Sequence, residues 1–431
     1  MAGLPGPENA TKWAIRIVPI FIFGAFGFAA YAVVAHLCVD FLYRRKKQHG
    51  VAIAIIVLYV VFFLLTLATY FRTVYNAQRN QGLVPWTPRR VEEEERRVKE
   101  KQANRKAKSD VEQQDQPWRP PDMSPDSPGL EAFYSKDIFV CEADGRPRWC
   151  SMCWSWKPDR AHHSSELERC VRKMDHLCPW VGGMISETSF NFFFQFTNYC
   201  FCFCIICLSS AAYCLSLQKK DGLPLDGRTL AIIVLGSIFS FFTFGMSMTS
   251  GQYIFQNKTN IDALRKAPIH HLAIRVPRGT TTTNRYNTIT YPLPYWPPCN
   301  CIRDPAGQLI PQAADGVCPA HQGQRFSLQP PRPNIGANGS LRDQEAQRTF
   351  AIVKTEAGEN PWDLGMWRNF TSVMGHSPLE WFLPIRHSPC CNHDSNVSEY
   401  EYGPLIKKLR KRYDLPRPCE EGNGDIEMHH M

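Results

Sequence analysis

Residues 51–71 read VAIAIIVLYVVFFLLTLATYF, a run without one charged side chain. A helix needs roughly 20 apolar residues to cross a hydrocarbon core of about 30 Å. This run supplies them, and shows almost no polar face that a soluble helix would turn to water. Three comparable blocks stand at Ile17–Phe41, Phe192–Leu217 and Thr229–Ile254. The reading is a mainly α membrane protein with four transmembrane helices, paired as hairpins over 17–71 and 192–256. The first block is too long for a cleavable leader and is followed at once by the second.

The blocks divide the rest of the chain. Residues 1–16 form an N-terminal segment, 72–140 a linker, 141–191 a cysteine-rich segment and 257–431 a long tail. The whole has 431 residues, 49 Lys+Arg against 40 Asp+Glu, a net charge of +9 and 33 Pro. Its mean hydropathy of -0.30 averages two unlike kinds of sequence. A simple soluble globule, a mostly disordered chain and a collagen-like fibre are excluded. Seventeen Cys are too few for a disulfide scaffold of this length, and an odd number leaves one unpaired.

An even number of spans puts both termini and the central segment on one side. Charge does not decide which side: Arg72, Arg79, Arg89 and Arg90 follow the second span, yet Arg44, Arg45, Lys46 and Lys47 crowd the short loop opposite. Within the linker, 89–108 reads as a solvated helix with i,i+4 ion pairs. PWRPPDMSPDSPG (117–129) reads as a Pro-rich connection. In the tail, 280–283 and YPLPYWPPCNC (291–301) look loop-like. No internal repeat stands out beyond the duplicated hairpin.

The chemistry lies in 141–184, CEADGRPRWCSMCWSWKPDRAHHSSELERCVRKMDHLCPWVGGM. Cys150 and Cys153 have the C-x2-C spacing with which two thiolates grip one metal ion. His162-His163 and Cys170 can complete a Cys3His set for structural zinc. A lone C-x2-C is often two buried thiols, but the His and third Cys that follow favour zinc. Cys178 is left over, inside Met174-Asp175-His176-Leu177-Cys178-Pro179-Trp180. A thiol attacks as thiolate, and an ordinary pKa near 8.5 leaves only a few per cent ionised at neutral pH. His176 can take the proton and Asp175 can orient the imidazole. A membrane helix begins barely a dozen residues later, which suggests chemistry on a fatty acyl group at the bilayer surface.

The segment Cys150–Trp180, with KPDRAHH at 157–163 and CVRKMDHLCPWV at 170–181, resembles the cysteine-rich domain of the DHHC protein S-acyltransferases (palmitoyltransferases). The four-span layout is similar too. NKTNID (257–262) looks like a degraded form of the family's TTxE motif. NPWDLGMWRNF (360–370) is similar to its C-terminal NPxDxGxxxNW/F motif. Gly182-Gly183 and SETSFNFFFQF (186–196) look most like the fungal branch known as protein fatty acyltransferase five.

The resemblance implies an acyl-CoA co-substrate, typically palmitoyl-CoA, and two-step transfer through an acyl thioester on Cys178 to cysteine thiols of membrane-associated proteins. His176 moves the protons and Asp175 supports it. It implies one structural zinc on Cys150, Cys153, His163 and Cys170. The family's second zinc would fall on Ser164, Leu167, Leu177 and Met184, which cannot hold it, so the signature is DHLC and packing is expected in place of that metal. Lys157, Arg160, Arg172 and Lys173 are candidates to meet the CoA phosphates, and Trp180 to wall the acyl entrance. Asn360 and Asn369 are expected to cap loops, and Trp362 and Phe370 to sit at the membrane edge or serve structure.

Cytosolic acyl-CoA and reactive thiols place the cysteine-rich segment and both termini in the cytosol, on an endomembrane or the plasma membrane. The N-x-S/T sites at Asn9, Asn257, Asn338, Asn369 and Asn396 then stay unglycosylated. Nucleic acid is not an expected partner. The thiols of the third span read as packing residues, and Cys390-Cys391 as a candidate for acylation. Two rival readings are a silent scaffold that keeps the zinc domain for partners, and a transporter. The spans carry few ionisable residues beyond His36 and Asp40, which argues against transport.

Overall fold

The computed structural model describes residues 7–106, 118–122, 127–265, 267–292, 301–303, 309–311, 347–391 and 400–417. The chain divides into two compact units, one of Met1–Pro85, Pro158–Pro268 and Asn360–Leu405, the other of Trp86–Lys157, Ile269–Glu359 and Ile406–Met431. The segment 141–191 is therefore shared between them, parting after Lys157.

Four helices of the first unit are long and apolar enough to cross a membrane: Ile17–Arg45, His49–Arg79, Phe190–Lys220 and Gly227–Gln256. At 1.5 Å per residue each runs to about 45 Å, longer than the hydrocarbon core. Their polar ends, Arg79 or Lys219-Lys220, thus reach the headgroup zone. Phe26, Tyr59, Phe63 and Phe203 pack at ring separations of 5.1 to 5.9 Å. Cys200, Cys204, Cys207 and Cys214 are buried while Cys202 is half-buried, as thiols packed along one helical face require.

On the short-loop side, Asp226 caps the fourth helix by accepting from Thr229 N at 3.0 Å, and also meets His36 Nε2 at 2.8 Å. Lys46 pairs with Asp221 there, and Arg44 with Asp40 at 3.0 Å. Arg44 and Lys46 of this short loop thus have carboxylate partners.

The second unit holds an antiparallel sheet whose strands lie in the order Ile138–Cys141, His271–Val276, Arg348–Lys354, Asn287–Tyr291. Ile138 faces Ile274, and Ala351 faces both Ile274 and Thr288. Leu130, Phe133, Phe139, Tyr291 and Phe350 form its core. Three of these strands carry consecutive buried residues and show no alternation, and their separation in sequence hid the pairing. Tyr291, expected in a loop, ends a strand; the rest of that stretch, 293–300, and parts of the Pro-rich connection lie outside the described residues.

The charged helix Pro88–Lys106 is not uniformly solvated. Arg90 is buried, lies over the Trp86 and Trp154 rings, and donates to Met152 O at 3.2 Å. Glu94 accepts from it at 2.8 Å. A buried guanidinium needs such partners.

Gly145 sits at φ +85°, where a Cβ would fall 2.6 Å from Ile352 Cδ1. Both the left-handed backbone and the crowding oppose a side chain. Gly145→Ala is expected to destabilise this unit by about 1–3 kcal/mol, read as a lowered melting temperature of the purified protein. An unchanged melt would contradict this packing.

Candidate active site

Cys178 lies on a short hairpin, His176–Cys178 paired with Gly183–Ile185, in the register His176 to Ile185, Leu177 to Met184 and Cys178 to Gly183. The hairpin lies against the end of the second span. A Cβ on Gly183 would fall 2.3 Å from Ala77 O, so glycine permits this approach. Tyr70 donates its hydroxyl to Trp180 O at 3.2 Å, and Gln78 its amide to Gly182 O at 3.4 Å. Neither Tyr70 nor Gln78 was legible as a site residue, since both lie within or just beyond an apolar run whose partners depend on folding.

Cys178 is 2% exposed and Asp175 4%. Asp175 Oδ2 stands 2.6 Å from His176 Nδ1, and Asp175 Oδ1 accepts the backbone N–H of Asn260 at 2.8 Å. Asp175 N in turn donates to Ile185 O at 3.0 Å. The His176 ring meets Phe193 edge-on at 5.3 Å. Burial opposes charge on His176, but hydrogen bonds to Asp175 and Cys178 outweigh it and raise the imidazole to about 10. The arrangement favours imidazolium beside the Cys178 sulfur.

Asn260 owes its position to NKTNID. Asn257, in the left-handed region at φ 46°, ends the fourth span. Thr259 and Asp262 then form a reciprocal capping box on helix Asn260–Leu264. Arg160 fastens this turn by donating to Asn257 Oδ1 at 2.8 Å, Asn257 O at 2.9 Å and Asp262 Oδ2 at 3.1 Å. Burial works against the Asp262 carboxylate, yet Arg160 holds it below its ordinary pKa.

The tail motif grips the same helix end. Asn360 donates to Gln256 O and Asn369 to Phe255 O, both at 2.8 Å, filling two of the carbonyls a helix end leaves open. Trp362, considered for the membrane edge, is buried beneath the Arg160 guanidinium at 4.9 Å. Phe370 stacks on Phe255 at 5.7 Å.

Three of the cations expected to meet CoA phosphates point inward instead. Arg160 is committed as described. Arg172 pairs with buried Glu187 at 3.1 Å, and Lys173 is 8% exposed. Lys157, half-buried in the second unit, donates its backbone N–H to Arg148 O at 2.6 Å. Trp180 lies in the wall of an apolar cavity of about 110 Å³ that runs past Phe193 and Cys200 to Cys207 and Gly236. It packs against Phe242 at 5.2 Å.

The ligating residues expected for zinc are divided between the units, Cys150 and Cys153 in the second and His163 and Cys170 in the first. In the second unit, Cys150 and Cys153 are buried in a tight turn closed by Trp154 N to Cys150 O at 2.8 Å. In the first, His163 faces Cys170 across a strand pair, with Nδ1 4.0 Å from Sγ. Three thiols and an imidazole are a zinc donor set. At the positions of the family's second metal, Leu177 and Met184 pair across the hairpin, and Ser164 binds Glu166 at 2.8 Å and accepts Leu167 N at 3.3 Å.

Residues 143–267 match the DHHC palmitoyltransferase family. The palmitoyltransferase pfa5 of Aspergillus fumigatus is 36% identical, with 95% of this chain aligned to 92% of that one. The pfa5 of Emericella nidulans is 37% identical over 96% and 88% of the two chains. Human palmitoyltransferase ZDHHC2 is 24% identical over 62% of this chain and 68% of its own length.

The His176 shift has a sign in stability. Its pKa rises from 6.5 to about 10 on folding, so the imidazolium contribution is complete below about pH 6.5 and is lost as pH climbs through about 10. The melting-temperature gap between wild type and His176→Gln is expected to shrink over that window. A gap constant from pH 6 to 10.5 would refute the raised pKa.

Proposed function

Because the chain belongs to the DHHC palmitoyltransferase family, we propose that this membrane-bound protein S-palmitoyltransferase carries its acyl group on Cys178. The observation that carries the assignment is the 2.6 Å Asp175–His176 contact two residues from that thiol, with neighbouring Trp180 and Phe193 in the wall of an apolar cavity.

The Cys178 thiolate attacks the thioester carbonyl of a long-chain acyl-CoA. The carbon–sulfur bond to CoA breaks, and the CoA thiolate takes a proton from His176. In the second step the thiol of a membrane-associated protein gives its proton to His176 and attacks the acyl-Cys178 carbonyl, releasing the Cys178 thiolate. Asp175 holds Nδ1 through both steps, which leaves Nε2 as the nitrogen that exchanges the proton. The cavity behind Trp180 takes the acyl chain. Each buried methylene contributes about 0.8 kcal/mol, so a chain of about 15 is the main handle on the substrate. Lys157 remains a candidate for the CoA phosphates on charge.

Cys150, Cys153, His163 and Cys170 would hold one zinc, and its closed Cys3His shell supplies a structural cross-link. No position remains in that shell for a reacting water.

The cysteine-rich segment and both termini face the cytosol in this reading, where acyl-CoA and reduced thiols are found. Burial of Asn257 and Asn369, each hydrogen-bonded within the protein, agrees with their staying unglycosylated. Asn338 and Asn396 lie outside the described residues. An endomembrane or the plasma membrane is the expected home. The silent scaffold rested on the lost second metal, and the Leu177–Met184 pair gives that loss a structural replacement.

Purified protein given labelled palmitoyl-CoA is expected to acquire a label that neutral hydroxylamine removes and Cys178→Ser abolishes. About one zinc per chain should accompany it. Asp175→Asn should slow loading by about 10²–10⁴-fold. Folded, zinc-loaded protein with no Cys178-dependent label would overturn the proposal and leave the scaffold.

A further inference from the structure

We propose that Cys390 and Cys391 form a peroxide-sensitive dithiol, a modification site on the wall it shares with Asp175. The two thiols return from the tail to the turn that follows the Cys178 hairpin. Cys390 N donates to Ser372 O at 3.1 Å, and Cys391 Sγ to Glu187 O at 2.8 Å. Lys173 Nζ stands 3.7 Å from Cys390 Sγ and lies over the Tyr400 ring at 5.8 Å. Glu187 is buried between Arg172 and the Tyr400 hydroxyl. A pocket of about 10 Å³ is lined by Lys173, Asp175, Glu187 and Cys390.

The pattern is that of a sensing thiol beside a resolving one. The hydrogen bond with Cys391, together with the charges of Lys173 and Arg160, outweighs burial and lowers the pKa of Cys390. Cys391 is held protonated, its own pKa raised by that bond and by burial. Both residues are half-buried, whereas Cys141 is buried.

The chemistry balances with hydrogen peroxide as the two-electron oxidant. The Cys390 thiolate attacks one peroxide oxygen and the O–O bond breaks. The departing hydroxide takes a proton and leaves as water, and Cys390 becomes a sulfenic acid. Cys391 sulfur then attacks Cys390 sulfur, an S–S bond forms, the S–O bond breaks, and the thiol proton departs with that oxygen as a second water. Neighbouring Cα atoms stand about 3.8 Å apart, below the usual disulfide span of about 4.4–6.8 Å. The ring so formed is strained and therefore easily reduced. Forming it ends both the Lys173–Cys390 contact and the thiol donation to Glu187, beside the carboxylate that orients His176.

The test is differential thiol labelling and peptide mapping of the full-length, zinc-loaded protein in lipid nanodiscs after graded hydrogen peroxide. A 390–391 disulfide is expected to form at least about tenfold faster than buried Cys141 oxidises, and dithiothreitol should reverse it. In Cys391→Ser a sulfenic acid should accumulate on Cys390 and be trapped by dimedone. Lys173→Met should slow oxidation of Cys390 several-fold while Lys173→Arg retains the wild-type rate, with melting temperature and zinc content checked on each. Absence of the disulfide in folded wild type would overturn the proposal. So would a Cys390 rate equal to that of Cys141, or one unchanged in a folded Lys173→Met. Mapping requires no acyl transfer, so its outcome is separable from the fate of the Cys178 thioester.

Discussion

The site depends on a carboxylate held from two sides. Asp175 presents one oxygen to His176 and the other to the backbone N–H of Asn260. A carboxylate with one partner can swing about χ2; with two, its plane is set and so is the direction of the imidazole. Backbone N–H is a strong donor at a fixed place, and pairing it with a charged acceptor makes one of the stronger hydrogen bonds a protein has. The position of His176 therefore rests on that of Asn260, which rests on how the fourth span ends.

That ending is assembled by distant residues. Asn360 and Asn369 bind the last carbonyls of the span, and Arg160 ties Asn257 to Asp262 while lying on Trp362. Arg160 suits this place because a planar guanidinium can donate in several directions and stack at once; a lysine could not do both. A tail more than a hundred residues beyond the span thus reaches the reacting thiol through rigid hydrogen bonds. The chain from tail to thiol is a set of positioning contacts, and none of its members touches the substrate in the mechanism above.

Much of this was legible in the sequence, but unevenly. The four spans could be read because the bilayer demands long apolar runs and those runs are local. The DHLC hairpin could be read as a candidate site because Asp175, His176 and Cys178 lie within four residues. The inward turn of Arg160, Arg172 and Lys173 could not be. A cation in sequence looks alike whether it meets solvent, phosphate or a buried Glu187, and the partners that decide lie 15 residues away for Arg172, 97 for Arg160 and 217 for Lys173. The sheet that pairs Ile138–Cys141 with His271–Val276, and that strand with Arg348–Lys354, was hidden for the same reason. Each strand is a short apolar stretch whose meaning comes only from its neighbour.

The loss of one metal also becomes intelligible in these terms. A second zinc would restrain the strands around Cys178 by cross-linking them through thiolates and imidazoles. Here the restraint comes from pairing and packing: Leu177 opposite Met184, Gly183 pressed onto Ala77, and the Trp180 carbonyl bound by Tyr70. These contacts act on the segment between His176 and the thiol, where the vacated ligand position lay. A metal binds through deprotonated ligands and ties folding to metal supply and pH, whereas a packed hairpin is free of both. Since Leu177 is none of the three residues proposed to react, the exchange changes how the hairpin is held and leaves the Asp175–His176 contact in place.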